Sequence, residues 1–220
     1  MSSAYAAWVG RLWVGQVLAV LTLTIAGLTA AAAQQTTLSL DPARTSVNFT
    51  LGAALHTVHG TFRAKPGALQ INSAAGLVSG EIDIDAKSGE TGSGMRDRKM
   101  HKDVLQSEQY PDISFRPDRF EGVLATQGKS SVKVHGMFRV HGVDREIMVP
   151  ADVEMAADHW SATVHFTVPY VKWGMQNPST LFLRVSDAVD IELVAGGSVQ
   201  HSAANSGSPN PGPANSGSAQ

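Results

Sequence analysis

The sequence has 220 residues and no cysteine, and this absence excludes several classes of protein. Without thiols there is no disulfide, no cysteine-ligated zinc, no thiol catalysis and no cysteine-anchored lipoprotein. Charge of one sign is also lacking, because 17 Lys and Arg stand against 19 Asp and Glu with no basic block. Nucleic-acid binding needs clustered cations that replace counterions, so the sequence predicts no nucleic-acid partner.

Motifs for catalysis are absent as well. The chain has no Gly-x-Ser-x-Gly elbow, no His-Glu-x-x-His, no phosphate loop and no dinucleotide glycine pattern. Asp83 and Asp85 stand two apart on the polar face of a strand. A solvated face does not create the contrasting environments that an acid–base pair needs. Nothing in the residues requires a hydrolase or an isomerase, and we predict a non-enzymatic protein with no catalytic residues.

The N-terminal segment has the character of a secretory signal. Arg11 precedes a mainly apolar run over residues 12–28, and Ala31 and Ala33 follow in the small-x-small arrangement. This pattern predicts a signal peptide over residues 1–33, with an uncleaved membrane anchor as the alternative. We expect a bacterial protein that is periplasmic or secreted, with no integral membrane span after cleavage.

The C-terminal segment differs in another way. Residues 196–220 are rich in Gly, Ser, Pro and Asn and carry almost no charge. Such a composition cannot bury enough apolar surface to offset the entropy of ordering, so it predicts a disordered tail. The ordered domain is therefore expected over residues 34–195.

Within that domain, apolar and polar residues alternate in most segments, which is the pattern of half-buried strands. About eight or nine strands are expected, with turn residues between them. They are placed at residues 45–51, 57–64, 69–71, 78–86, 112–123, 131–140, 144–155, 159–168 and 184–194. Strict alternation with short connections indicates antiparallel pairing, with one face toward a core and one toward water. We predict an all-β fold, an antiparallel closed barrel, with a β-sandwich as the alternative.

The inward faces of these strands mix large apolar residues with small ones such as Gly60, Gly80, Gly136, Ala86 and Ala162. An eight-stranded barrel is at the size where side chains either fill the interior or leave room for one small ligand. The pattern alone leaves a filled core and an apolar cavity equally open.

Histidines provide the main alternative function, a periplasmic metal-binding protein. His56 and His59 lie close together, as do His135 and His141, and a histidine cluster can hold zinc, copper or nickel. However, His59 and His135 fall on polar strand faces while the other two lie at strand ends. A metal needs several convergent ligands, so we predict surface or turn histidines and no metal site.

One segment interrupts the alternation. After a Gly-rich run at residues 89–94, charged residues surround Met100, Val104 and Leu105, which share one narrow helical face. A solvated helix with an i,i+4 pair between Asp97 and His101 would explain the charges. The functional interpretation is one short helix at a barrel mouth, where apolar residues seal the interior. The residues assigned to this mouth are Arg96, Asp97 and Trp173.

Several of these residues, in order, make the sequence similar to the YceI-like family of exported bacterial proteins. The match includes Ser46-Val47-x-Phe49, Gly60-x-Phe62, Ile82-x-Ile84, Arg96-Asp97, Tyr110-Pro111-x-Ile113-x-Phe115 and Val185-x-Asp187-x-Val189-x-Ile191. The resemblance implies a lipocalin-like barrel whose apolar tunnel holds a polyisoprenoid, of the quinone or polyprenol type, and no other cofactor. Gly52 departs from the pattern, since many members carry a histidine there. A homodimer is left open.

The inward strand faces and the helix together give the expected lipid-binding residues. These are Val47, Phe49, Val58, Phe62, Ile82, Ile84, Met100, Leu105, Ile113, Phe115, Val134, Phe138, Val164, Phe166 and Val189.

Overall fold

The fold is an antiparallel β-barrel with one helical segment at its rim. The computed structural model describes residues 35–54, 56–180 and 184–201. In this part of the chain the strands are β1 (Gln35–Leu40), β2 (Ser46–Gly52), β3 (Thr57–Ala64), β4 (Gly67–Asn72), β5 (Leu77–Glu90), β6 (Asp112–Glu121), β7 (Gly128–Val140), β8 (Val143–Met155), β9 (His159–Val168) and β10 (Val189–His201). Among the described residues, no helix combines the length and the apolar character that crossing a bilayer would take.

The sheet closes into a ring. Strands β5 to β10 pair in the order β5-β6-β7-β8-β9-β10, and the remaining four strands connect β10 back to β5. β10 pairs with β2 near its start and with β1 near its end, while β5 pairs with β4 near its start and with β3 near its end. Two positions of the ring are thus each shared by two short strands. The predicted closed barrel is confirmed, and the alternative of a β-sandwich is wrong, because closure removes the free edges that two layers would leave.

The last strand corrects the predicted domain boundary. Residues 196–201, expected in the disordered tail, belong to β10, and residues 197–201 pair with β1. A Cβ on Gly197 would lie 1.7 Å from the backbone oxygen of Ser39, so glycine is what lets these two backbones approach. The glycine that contributed to the prediction of disorder is therefore required by the close packing of β10 against β1. The predicted signal peptide (1–33) and the rest of the predicted tail lie outside the described residues.

A helical segment follows β5, as predicted, but its geometry changes partway. An α-helix, α1 (Gly94–Lys99), continues directly into a π-helical turn (Met100–Leu105), and we call residues 94–105 the mouth helix. It ends where Gln106 adopts a left-handed backbone with φ of 47°. The expected pair between Asp97 and His101 is not formed, because each side chain bonds to a residue outside the helix.

The interior has no solid centre. Inward side chains form two apolar groups, one around Leu38 and Trp160 and one around Phe138 and Tyr170. Among the described residues, no large side chain is completely buried. A filled core would bury several, so the inward residues must face an internal space.

Candidate functional site

The interior of the barrel holds an apolar cavity of about 660 Å³. This is within the range of roughly 300–1,000 Å³ that is typical of small-molecule sites. All fifteen residues predicted to bind lipid line it, from Val47 on β2 to Val189 on β10. The alternation of the sequence therefore located the wall correctly, and the question of cavity or filled core is settled in favour of a cavity.

The wall also contains residues that were not predicted. The side chains at one end of the cavity are Leu69, Ile71, Phe120, Leu124 and Trp160. Most of these residues continue the alternating pattern of their strands, so the same pattern could have predicted them as part of the wall. Tyr170 and Met175 also line the cavity but lie in the connection after β9, where no periodicity marks them.

The inward glycines do not create this space. A Cβ on Gly60 would lie 2.2 Å from the Phe49 ring, and one on Gly136 would lie 2.4 Å from the backbone oxygen of Arg116. These glycines allow neighbouring groups to pack closely, which is their ordinary structural role. Ala162, by contrast, lines the cavity itself.

The cavity reaches solvent at the end that carries the mouth helix. Four of its lining residues are exposed, namely His56, Met95, Arg96 and Thr180, and Met95 is 77% exposed. They lie on the β2–β3 connection, the mouth helix and the connection between β9 and β10. At the opposite end the lining side chains are buried or half-buried. The described residues thus place a mouth at the helix end.

Two of the three residues predicted at this mouth do not line the cavity. Arg96 lines it, but Asp97 accepts hydrogen bonds from the amide and hydroxyl of Thr91 at 2.9 and 2.6 Å. Trp173 packs against Phe138 with ring centroids 5.9 Å apart and lies under the guanidinium of Arg145 at 4.9 Å. Both residues hold the rim together. The sequence showed their polarity and size but not which way they point.

The two charged side chains that line the cavity among the described residues are both cationic. No Asp or Glu occurs among the described residues that line the cavity, whereas Arg96 and Lys99 both do. Lys99 lies 3.2 Å from Asp103, one turn further along the mouth helix. Arg96 donates only to the hydroxyl and backbone oxygens of Thr91, both at 3.1 Å. Within the described residues, Arg96 therefore has no carboxylate partner.

The mouth helix is fixed to the barrel by His101. Its Nε2 lies 2.8 Å from the backbone oxygen of Gly89, and its Nδ1 lies 3.0 Å from the hydroxyl of Ser107. A carbonyl oxygen only accepts, so Nε2 donates to Gly89, while Nδ1 shares a hydrogen bond with the hydroxyl of Ser107. Both ring nitrogens of His101 are therefore occupied in holding the helix.

The other histidines are also dispersed. No group of three or more His, Asp or Glu side chains is placed to bind a metal ion in the part of the chain that the structure describes. His56 lies at the mouth and His141 at the β7–β8 turn, where burial lowers the pKa of its imidazole. The metal-binding alternative gains no support from this arrangement.

His135 corrects one expectation. It was predicted on a polar outer face, and it does lie there, yet it is only 6% exposed. Asp118 and Glu146 on the neighbouring strands flank its ring, each 2.6 Å from one nitrogen. The hydrogen bond that the His135 ring donates to Asp118 is the main cause that raises the pKa of His135, and it lowers the pKa of Asp118. We call these three side chains the outer clamp.

The sign of each shift defines where the outer clamp stabilises the fold. A raised histidine pKa contributes stability that is full below the ordinary value of 6.5 and is lost as pH rises through the folded value. A lowered aspartate pKa contributes stability above the ordinary value of 3.8 that is lost as pH falls through the folded value. Both contributions are present together between these two ordinary values.

Outer-face carboxylates show no arrangement for catalysis. Burial raises the pKa of Asp83, helped by the nearby Glu81, but this side chain projects from the barrel and away from the cavity. Inside, Tyr170 donates its hydroxyl to the backbone oxygen of Ser186 at 2.6 Å, and burial raises its pKa to about 12. Tyr170 is thus a neutral structural group in the wall.

Comparison with solved structures shows the same fold. BcnA of Burkholderia cenocepacia is 17% identical, with a TM-score of 0.59 over 71% of this chain and 98% of BcnA. A polyisoprenoid binding domain from Saccharophagus degradans, implicated in plant cell wall breakdown, is 18% identical, with a TM-score of 0.60 over 74% of this chain and 98% of that domain. The YceI protein of Campylobacter jejuni is 16% identical, with a TM-score of 0.51 over 66% of this chain and 86% of that protein.

Comparison at the level of sequence is more specific. No curated protein matches the chain. The sequence model of the YceI-like domain, however, matches residues 38–196, which is nearly the whole of the barrel from β1 into β10. The chain therefore belongs to the YceI-like domain family.

Proposed function

We propose that this protein is an exported carrier that holds a polyisoprenoid or related apolar lipid in its barrel. The observation that carries the proposal is the apolar cavity of about 660 Å³ with a mouth at the helix end. Membership of the YceI-like family and the likeness to a polyisoprenoid binding domain support it.

The energetics favour a long apolar chain. Each methylene that leaves water contributes about 0.8 kcal/mol, so about ten buried methylene equivalents contribute roughly 8 kcal/mol before the costs of association. Since association itself costs at least about 4 kcal/mol, a micromolar affinity, about 8 kcal/mol net, requires roughly fifteen buried methylene equivalents. A compact polar ligand would gain nothing from this wall, since it would leave its own polar groups without partners.

The direct test is to identify what the cavity holds. The protein is purified from its native host, extracted with organic solvent and examined by lipid mass spectrometry, and emptied protein is then titrated with polyprenols and isoprenoid quinones. We expect a co-purified isoprenoid and saturable uptake of added lipid. Repeated absence of any bound apolar molecule, together with no uptake, would refute the proposal.

Export and assembly are tested separately. Cleavage of the predicted signal gives a mature chain that starts at Gln34, which N-terminal sequencing of protein from a periplasmic fraction would reveal. An N-terminus that retains residues 1–33 would instead support the anchor. A homodimer stays a prediction, and light scattering on the purified protein measures it.

A further inference from the structure

From a pocket on the outer face of the barrel we infer a second ligand site, which binds a short peptide with a free ammonium group and a free carboxylate. The pocket has a volume of about 330 Å³, at the lower end of the range that is typical of small-molecule sites. It lies at the end of the barrel remote from the mouth helix, and this second site is independent of the proposed lipid binding.

The position of the pocket follows from the sheet. Trp160 is buried and lines the cavity, so the next residue on β9, Ser161, points outward. Ser161 is paired with Glu154 on β8 and with Gly196 on β10, which places these three residues in a row across the outer face. All three line the pocket. Neighbouring strands are about 4.8 Å apart, so the two ends of this row are roughly 10 Å apart.

Arg44 stands above the β10 end of the row on a fixed support. It belongs to the turn between β1 and β2, and a Cβ on Gly196 would lie 3.1 Å from the backbone oxygen of Arg44. The turn is tied to β10 on both sides, because the amide of Asp41 donates to the backbone oxygen of Gly196 at 2.9 Å and the amide of Gly196 donates to the hydroxyl of Thr45 at 3.4 Å. The pocket therefore has an arginine at one end and a glutamate at the other.

These two opposite charges are not neutralised by neighbours. Arg44 and Glu154 are both exposed and line the same pocket, yet within the described residues neither forms an ion pair or a side-chain hydrogen bond. Lys129 is the cross-strand neighbour of Glu154 and makes no ion pair with it. Asp158 attracts Arg44 only at longer range, and its carboxylate is hydrogen-bonded to His159 at 2.7 Å. A guanidinium binds a carboxylate and a glutamate binds an ammonium group, so a ligand with both groups fits this pocket.

The separation of the charges selects a short peptide over a single amino acid. The ammonium and carboxylate of an amino acid are attached to the same carbon atom, whereas an extended dipeptide spans roughly 7 Å. The side chains of Arg44 and Glu154 are long enough to bridge the rest of the distance. The hydroxyl of Ser161 lies between them without a hydrogen-bond partner in the described part of the chain, and it is able to bond the central peptide group.

The experiment compares three peptides that differ only at their ends. Nitrogen-15 NMR spectra of the mature protein are recorded during titration with alanyl-alanine, with its N-acetyl form, which lacks the ammonium group, and with its C-terminal amide, which lacks the carboxylate. We expect the backbone amide signals of Ser161 and Gly196 to shift. Alanyl-alanine should bind about fivefold more tightly than either blocked form, which is the scale of one exposed ion pair. Farnesol, added as a ligand for the barrel interior, should not displace the peptide.

Variants assign each end of the peptide to one side chain. Arg44→Gln should remove the advantage of alanyl-alanine over the amide form and leave its advantage over the N-acetyl form, and Glu154→Gln should have the converse effect. The matched controls are Arg63→Gln and Glu121→Gln, because both residues are exposed on other strands and neither lines the pocket. Thermal unfolding checks that each variant is folded.

Several outcomes would overturn the inference. One is equal affinity of the wild type for the three peptides, and another is the absence of shifts at Ser161 and Gly196 at about 10 mM peptide. Equal losses in Arg44→Gln and Arg63→Gln would show a general effect of charge in place of a site. Displacement of the peptide by farnesol would place the peptide inside the barrel. None of these results bears on lipid binding, which is tested by the bound lipid itself.

Discussion

Filling the cavity from its wall should block lipid binding without damage to the fold. Ala162 on β9 lines the cavity, so the Ala162→Phe substitution places a phenyl ring in space that is already empty. That ring takes the place of about three methylene groups of a bound chain, at about 0.8 kcal/mol each. The loss of about 2.4 kcal/mol corresponds to roughly 50-fold weaker binding.

The same substitution should stabilise the empty protein or leave its stability unchanged. Filling a cavity with an apolar group commonly raises the free energy of unfolding by about 0.5–2 kcal/mol. In a well-packed core the added ring would instead cost about 1–3 kcal/mol. The direction of the change in Tm therefore tests independently whether the interior is empty next to Ala162.

Ala68→Phe is the matched control, because Ala68 is exposed on β4 while its neighbour Leu69 lines the cavity. Displacement of a neutral fluorescent probe, N-phenyl-naphthylamine, by added polyprenol and thermal unfolding are measured for both variants and the wild type. A folded Ala162→Phe protein that retains wild-type affinity would show that the ligand lies elsewhere. A marked fall in its Tm would show that the interior next to Ala162 is already filled.

Three further outcomes are expected. The decrease in Tm caused by His135→Gln should be largest between pH 3.8 and 6.5 and should become smaller as the pH rises further. A decrease that does not change with pH would contradict a stabilising ion pair in the outer clamp. Gly197→Ala should lower the free energy of unfolding, measured with denaturant, by roughly 3 kcal/mol, because the backbone oxygen 1.7 Å from the added Cβ cannot move aside. Gly52→Ala is the control and should cost less than about 1 kcal/mol, because the nearest atom to its Cβ lies at 3.8 Å. Trp173→Ala should lower the free energy of unfolding by roughly 2 kcal/mol, because the Trp173 ring packs against Phe138. It should leave the affinity for polyprenol unchanged, since Trp173 does not line the cavity, and a changed affinity would place Trp173 in the binding site.

The wall of the cavity could be predicted because strands repeat every two residues. Once Val47 and Phe49 are placed inward, the rest of that face follows, and the same holds for Phe138 and Phe166 on their strands. All these side chains line the cavity. The alternation within one strand predicts which side chains face inward, without any knowledge of which strand lies beside it. This part of the structure could therefore be predicted from local sequence alone.

The predicted end of the barrel was wrong for the opposite reason. Apart from Val199, residues 196–201 are glycine or polar, and one apolar residue gives no periodic pattern that distinguishes them from a linker. Their order comes from pairing with β1, more than 150 positions earlier in the chain, where Gly197 meets Ser39. Such a contact depends on tertiary structure and leaves no periodic signal in the sequence.

The mouth illustrates a similar limit. Arg96 and Asp97 are adjacent in the sequence, yet Arg96 lines the cavity while Asp97 turns back to Thr91. On a helix, neighbouring positions point about 100° apart, so one of two adjacent charged residues often faces away from a site. Which one does so depends on how the helix lies on the barrel, and here that is fixed by His101 and Gly89.

The size of the cavity bears on stability as well as on binding. An empty apolar space costs free energy that increases with its volume where the surrounding structure cannot collapse, so the empty barrel should be less stable than the barrel with an apolar chain inside. A closed ring of strands prevents collapse, because each strand is hydrogen-bonded on both sides. The barrel therefore maintains an expensive space that a lipid chain would fill, and the ligand would then stabilise the fold by the same contacts through which it is bound.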